Sequence, residues 1–253
     1  MNFQIRIFKD MEILSRAAAE LFAEKAGESI TERGRFLTAL NGGSTPNRLF
    51  QLLATEYRGE VDWSRVHIFW GDERCVPPED AGSNYGQARE TFLSRVPIPE
   101  ANIHRVKGEL EPAEASRDYA LTLSGFASPQ FGFPRFDLIY LGMGEDGHTA
   151  SLFPGSRVDV SEPVLPVTAQ YQDRPANRVT LTPLVFNQAR TVAFMVTGEK
   201  KAATLAEVLS DRYDPERLPA QRIHPKDGDL LWLVDEEAAG KLPRELTRRF
   251  CEG

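Results

Sequence analysis

The sequence predicts an α/β fold built on a mostly parallel sheet with helices on both faces. Three observations carry that expectation. Short apolar runs of strand length recur at 4–8, 36–40, 66–70, 136–141, 191–196 and 230–234. Most of these runs are continuous rather than alternating, as in strands covered on both sides. Segments with helical spacing separate them, which is the order of parallel β-α-β units.

In chain order, residues 4–8 read as a strand. From Met11 to about Glu32, Leu14, Ala18, Leu21, Phe22 and Ala26 recur near helical spacing. The run 36–40 ends in Asn41-Gly42-Gly43-Ser44-Thr45-Pro46. Leu49, Phe50, Leu52 and Leu53 then mark a second helix, with Pro46 near its first turn. The four later runs supply further strands, and several stop at Gly, Asn or Asp. Ligands of such sheets sit beyond the carboxyl ends of the strands, so the chemistry is expected at 41–45, 71–74, 142–148 and 197–201. Pro-rich stretches at 76–78, 96–99 and 162–166 read as loops too short to link domains, and no internal repeat occurs. The expectation for 253 residues is one domain, 1–253.

Composition narrows the function. With 41% hydrophobic and 26% charged residues the chain is expected to fold around a core. The net charge is −7, and no run of Lys and Arg exceeds pairs such as Lys200-Lys201 and Arg248-Arg249, so a nucleic-acid partner is not expected. An anionic substrate then needs a local basic pocket. The first residues alternate apolar and polar and do not form a signal-peptide core. No run approaches the roughly 20 apolar residues that span a bilayer. Cys75 and Cys251 form neither a disulfide framework nor a zinc pattern, a single bridge between them being the other arithmetic possibility. The expectation is a cytoplasmic protein with reduced thiols, no membrane partner, no metal, no cofactor, and a monomer as its default state.

Four segments carry the chemistry. Gly42, Gly43, Ser44 and Thr45 offer backbone N–H groups, hydroxyls and a helix N-terminus to a phosphate, while a tight turn capped by Ser44 or Thr45 explains them almost as well. Asp72, Glu73 and Arg74 follow an apolar strand, either as groups in a crevice or as a plain ion pair. Residues 142–154 contain Gly142, Gly144 and Gly147 in G-x-G-x-x-G spacing. A dinucleotide site is disfavoured there, because Pro154 follows closely and Pro163 and Pro166 interrupt the region where the acidic strand end is required. What remains is a Gly-rich loop that presents Asp146 and His148, and an imidazole is a natural base for activating water near neutral pH. Arg178 and Lys201 are either phosphate ligands or solvated surface cations. The four histidines lack metal-binding spacing and no G-x-S-x-G elbow occurs, so a water nucleophile is favoured over a covalent one.

Taken in order, Gly42–Pro46, Asp72-Glu73-Arg74 with Ser83-Asn84-Tyr85, 142–154, 178–182 and 198–202 resemble the 6-phosphogluconolactonase family, over about residues 36–235. The run 146–155, DGHTASLFPG, is the most specific part. The resemblance implies a Rossmann-like fold similar to glucosamine-6-phosphate deaminase and hydrolysis of 6-phosphoglucono-δ-lactone in the oxidative pentose phosphate pathway. It implies His148 as the general base, Asp146 as its orienting partner, and Arg74 as the stabiliser of the developing oxyanion. Asp72 would hold that guanidinium or a sugar hydroxyl, and Ser44, Thr45, Arg178 and Lys201 would hold the phosphate. One departure is Gly82, where the family often carries Asp.

Two alternatives share the scaffold, an isomerase or deaminase and a silent sugar-phosphate sensor. A sensor is disfavoured because no DNA-binding extension or basic recognition helix is present. A deaminase is disfavoured because the family's glutamate about five residues after the His is replaced here by Phe153.

Overall fold

The structure is a computed structural model that describes residues 3–171 and 174–247. Helix α1, Met11–Arg33, follows strand β1, Gln4–Phe8; Asp10 accepts from the Ile13 N–H at 3.0 Å to start it, and Gly34 at φ 75° ends it. Strands β2, Phe36–Leu40, and β3, Val66–Trp70, flank helix α2, Pro46–Ala54. After β4, Asp72–Arg74, come α3, Asn84–Thr91, and α4, Pro112–Ser124. The chain continues through β5, Leu138–Gly142, β6, Val164–Thr168, β7, Asn177–Leu181, and α5, Pro183–Phe186. It closes with β8, Thr191–Val196, α6, Ala202–Val208, β9, Asp229–Asp235, α7, Glu236–Ala239, and α8, Arg244–Thr247.

Six strands form one parallel sheet in the order β1-β9-β8-β5-β2-β3. Every residue of β2 and of β8 is buried, which requires cover on both faces of the sheet. On one side Tyr140 of β5 donates its hydroxyl to the Ala18 carbonyl of α1 at 2.6 Å. Strand order turns between β2 and β5: β2 leads outward to β3, whereas β5 leads the other way to β8 and β9. That switch point opens a crevice at the carboxyl ends of adjacent strands.

Three departures from the sequence reading have physical causes. The strand expected at 136–141 spans Leu138–Gly142, and Asp137 just before it anchors its start, its carboxylate accepting from the Leu37 N–H at 2.8 Å and from Arg33 at 3.1 Å. The Pro-rich stretch 162–166, expected to be loop, enters β6, the outer strand of a separate antiparallel sheet ordered β4-β7-β6. An edge strand tolerates Pro166. Helices α3 and α4 were not anticipated; α3 is capped by Ser83, which accepts from the Gly86 N–H, and α4 starts at Pro112. Among the described residues no helix is long and apolar enough to cross a membrane. Cys75 is a free, half-buried thiol that burial pushes up to about 11; Cys251 and Arg248-Arg249 lie outside the described residues.

Two histidines serve the core. The His104 ring stacks on Phe69 at 4.4 Å and bonds His67 at 3.2 Å between ring nitrogens. Burial first, and then the charge of His67, pulls the His104 pKa down to about 4. The unfolded chain therefore takes up a proton near its ordinary value of 6.5 that the folded protein refuses. Stability is complete above that value and falls as the pH drops toward about 4. His104→Phe should flatten the fall, read as urea midpoints at about pH 7 and about pH 5; an unchanged difference between the two would contradict it.

Candidate active site

Loops after β2, β5 and β8 are adjacent because those strands are adjacent, and they meet β4 and β7 around one cavity of about 240 Å³. Gly42, Gly43, Ser44, Thr45, Asp72, Arg74, His148, Arg178 and Lys201 all line it. Asp146 lies behind His148 and does not line the cavity. Tyr171 and Arg174, in a polar stretch with no motif, line it too and escaped the sequence reading; Glu145, inside the expected 142–148 but given no role there, is another lining residue.

The loop after β5 is fixed by its own bonds. The Gly144 N–H donates to the His148 carbonyl at 2.9 Å, the Thr149 hydroxyl to the Gly142 carbonyl at 2.8 Å, and the Ala220 N–H to the Gly147 carbonyl at 2.9 Å. Gly147 adopts φ 82°, and Ala150 the unusual φ 48°, which tightens the turn linking Thr149 to Leu152. Asp146 Oδ1 lies 2.6 Å from His148 Nδ1 and accepts from the His148 N–H at 3.1 Å. This assigns the proton to Nδ1 in the neutral imidazole and leaves Nε2 as the lone-pair nitrogen. Burial raises the Asp146 pKa, but the hydrogen bond and charge of His148 outweigh it and hold the carboxyl below its ordinary range. The ring is clasped by Phe153 at 4.7 Å and, edge to face, by Tyr171 at 4.5 Å.

The antiparallel sheet supplies the cations. Arg74 and Arg178 stand directly opposite in the β4-β7 register, so their side chains share a face. Both are buried. Arg74 donates to the Gly82 carbonyl at 2.6 Å, at the position where the family resemblance breaks, and its Nε has no partner among the described residues. Arg178 leaves Nε and Nη2 without partners. Burial pulls the Arg178 pKa down, the nearby Asp72 opposes that, and Arg74 adds to it. Two like charges facing one cavity, with unspent donors, suit a ligand that carries or develops negative charge. Half-buried Lys201 is pulled down likewise by burial, with Glu145 and Asp235 resisting. Asp235 also holds the Lys201 turn by accepting the Gly198 N–H at 3.0 Å.

Asp72 is anchored away from Arg74. It forms no ion pair with Arg74 among the described residues. Its carboxylate accepts from the Ser151 hydroxyl at 2.7 Å and lies 3.4 Å from the Asn84 amide, which fix its position while its charge supports Arg178. Glu73 is likewise not a partner for Arg74 at the guanidinium; it accepts the Arg74, Asn84 and Tyr85 backbone N–H groups, each at 2.7 Å, locking β4 onto α3. Burial pushes Glu73 up to about 7 against those three bonds.

The turn after β2 is open as well. Neither Ser44 nor Thr45 caps α2: Thr45 occupies the N-cap without a side-chain bond to the helix, and its hydroxyl instead shares a 3.4 Å hydrogen bond with the Thr197 hydroxyl. The helix N-terminus is thus uncapped on the cavity side. Gln87 grips Gly43 by both its carbonyl and its N–H. Gly42 is required, since a Cβ there would fall 1.8 Å from the Asn84 amide oxygen. Among the described residues no three His, Cys, Asp or Glu side chains gather as metal ligands.

The family described as glucosamine-6-phosphate isomerases/6-phosphogluconolactonase matches residues 9–232, and the chain belongs to that family. It is 38% identical to the 6-phosphogluconolactonase of Synechocystis over 94% of this chain and 98% of that protein. The 6-phosphogluconolactonase structure from Trypanosoma brucei superposes with a TM-score of 0.85 at 28% identity, covering 96% of this chain and 99% of that one. A monomeric glucosamine-6-phosphate deaminase, at 20% identity and a TM-score of 0.78 over 94% of this chain and 100% of its own, shares the fold.

Proposed function

We propose that this protein is a 6-phosphogluconolactonase that hydrolyses 6-phosphoglucono-δ-lactone to 6-phosphogluconate with His148-activated water and without a cofactor. The observation that carries this reading is the His148 imidazole, fixed through Nδ1 by Asp146 in a cavity lined by Arg74, Arg178 and Lys201. The relatives are named 6-phosphogluconolactonases, which supports hydrolysis of that lactone; with it the proposal places the protein in the oxidative pentose phosphate pathway. In the mechanism, Nε2 takes a proton from water as its oxygen bonds the lactone carbonyl carbon. Negative charge collects on the carbonyl oxygen, where Arg74 stabilises it. The carbonyl then re-forms as the ring C–O bond breaks, and the ring oxygen takes back the proton held on His148 Nε2 to leave as a hydroxyl, with the carboxylic acid formed at the other end and the imidazole neutral again. Arg178, Lys201, Ser44, Thr45 and the uncapped α2 terminus hold the phosphate and aim the carbonyl at the base. The working unit is proposed as the whole chain in one domain, acting in the cytoplasm.

The test is acid release from freshly generated 6-phosphogluconolactone above the spontaneous background, by the wild type and by Arg178→Ala and Lys201→Ala. Each variant should lose about 10- to 100-fold in kcat/KM on the phosphorylated lactone, the worth of a charge-assisted contact. On unphosphorylated gluconolactone the loss should be far smaller. Equal losses on both substrates would remove these cations from phosphate recognition.

A further inference from the structure

Phe153 lies between the two halves of the site. Its ring is buried and packs at 35° against the His148 imidazole, while the Arg178 Cζ sits 5.3 Å from its centroid over the face. Tyr171 closes the group at 5.7 Å. Arg178 carries a buried charge whose Nε and Nη2 lack partners, a costly state unless something offsets it. A π face meets a guanidinium through its plane and steadies the cation while leaving the in-plane N–H donors unspent. A carboxylate at the same place would accept those donors and neutralise the charge before any substrate arrived.

We infer that Phe153 is a positioning residue: one aromatic ring covers the Arg178 guanidinium without spending its donors and packs the His148 ring, fixing the anion-binding cation relative to the base. This rests on the lactonase reading above and gives a physical reason for an aromatic rather than an acidic residue at this position.

The experiment compares Phe153→Leu, Phe153→Met, Phe153→Tyr and Phe153→Glu for kcat and KM on the phosphorylated and unphosphorylated lactones, and for inhibition by 6-phosphogluconate. Leu and Met keep apolar bulk and remove the π face. They should raise KM and the inhibition constant for the phosphorylated ligands by about 3- to 30-fold, with little change in KM for the unphosphorylated lactone. Turnover should fall on both substrates as the imidazole loosens. Tyr should restore both quantities, and Glu should weaken phosphate binding further than Leu. Wild-type KM and inhibition in Leu and Met would overturn the inference, as would a Glu variant that binds 6-phosphogluconate as tightly as the wild type, or equal losses on both lactones that Tyr does not rescue. If Leu fails to fold by circular dichroism, Met and Tyr decide by the same readings. The lactonase reading fails separately, when wild-type protein gives no acid release above background.

Discussion

His148→Ala should lower turnover of the phosphorylated lactone by about 10²- to 10⁴-fold, or about 3 to 5.5 kcal/mol of barrier, the usual contribution of a positioned general base. The size follows from geometry. Nδ1 is committed to Asp146 at 2.6 Å, and the ring is clasped by Phe153 and Tyr171, so the base is already aimed before substrate binds. Deleting the imidazole leaves Arg178, Lys201 and the α2 terminus in place, so binding of 6-phosphogluconate should largely survive. Steady-state kinetics with product-inhibition constants checks both halves. Turnover within about threefold of the wild type would remove His148 from the mechanism.

Gly144→Ala should be nearly as damaging without touching a functional group. A Cβ there would stand 2.1 Å from His148 Nδ1, 2.2 Å from its Cε1 and 2.6 Å from Asp146 Oδ1. Gly144 does not adopt a left-handed φ, so alanine strains nothing in the backbone itself. The imidazole must therefore move, and a displacement of about 1 Å at a catalytic group costs on the order of 10²-fold. We expect kcat to fall by about that factor while the far-ultraviolet dichroism stays native. Wild-type kcat in a folded Gly144→Ala protein would mean that the ring position observed here is not the working one.

The parallel strands were legible because a strand covered on both faces reads as a continuous apolar run, and β2 and β8 are such strands. Their carboxyl-end loops were legible for the same reason, and nine of the ten residues singled out from sequence line a single cavity. The antiparallel sheet was not legible. Its β4 is three charged residues long, β6 contains Pro166, and only the pairing of β4 with β7 sets Arg74 opposite Arg178. Long-range register of this kind leaves no local signal. Tyr171 and Arg174 sit in a polar stretch whose composition suggests only a loop. Asp235 ends an apolar run like any strand-terminal acid, and its grip on the Gly198 N–H depends on β8 and β9 being neighbours. That Asp72 pairs with Ser151 rather than with Arg74 was not legible either, since only the Ala150 turn brings that hydroxyl to its carboxylate.

The most direct measurement offers one preparation, in EDTA, both freshly generated 6-phosphogluconolactone and glucosamine 6-phosphate, following acid release from the first and ammonia from the second. A lactone carbonyl is already electrophilic and needs only activated water and charge stabilisation. Opening an amino-sugar ring calls for an acid that Phe153 cannot supply. The account predicts acid release well above the spontaneous rate and no ammonia above background. Ammonia release at a rate comparable to lactone hydrolysis, or acid release no faster than the uncatalysed reaction, would contradict it.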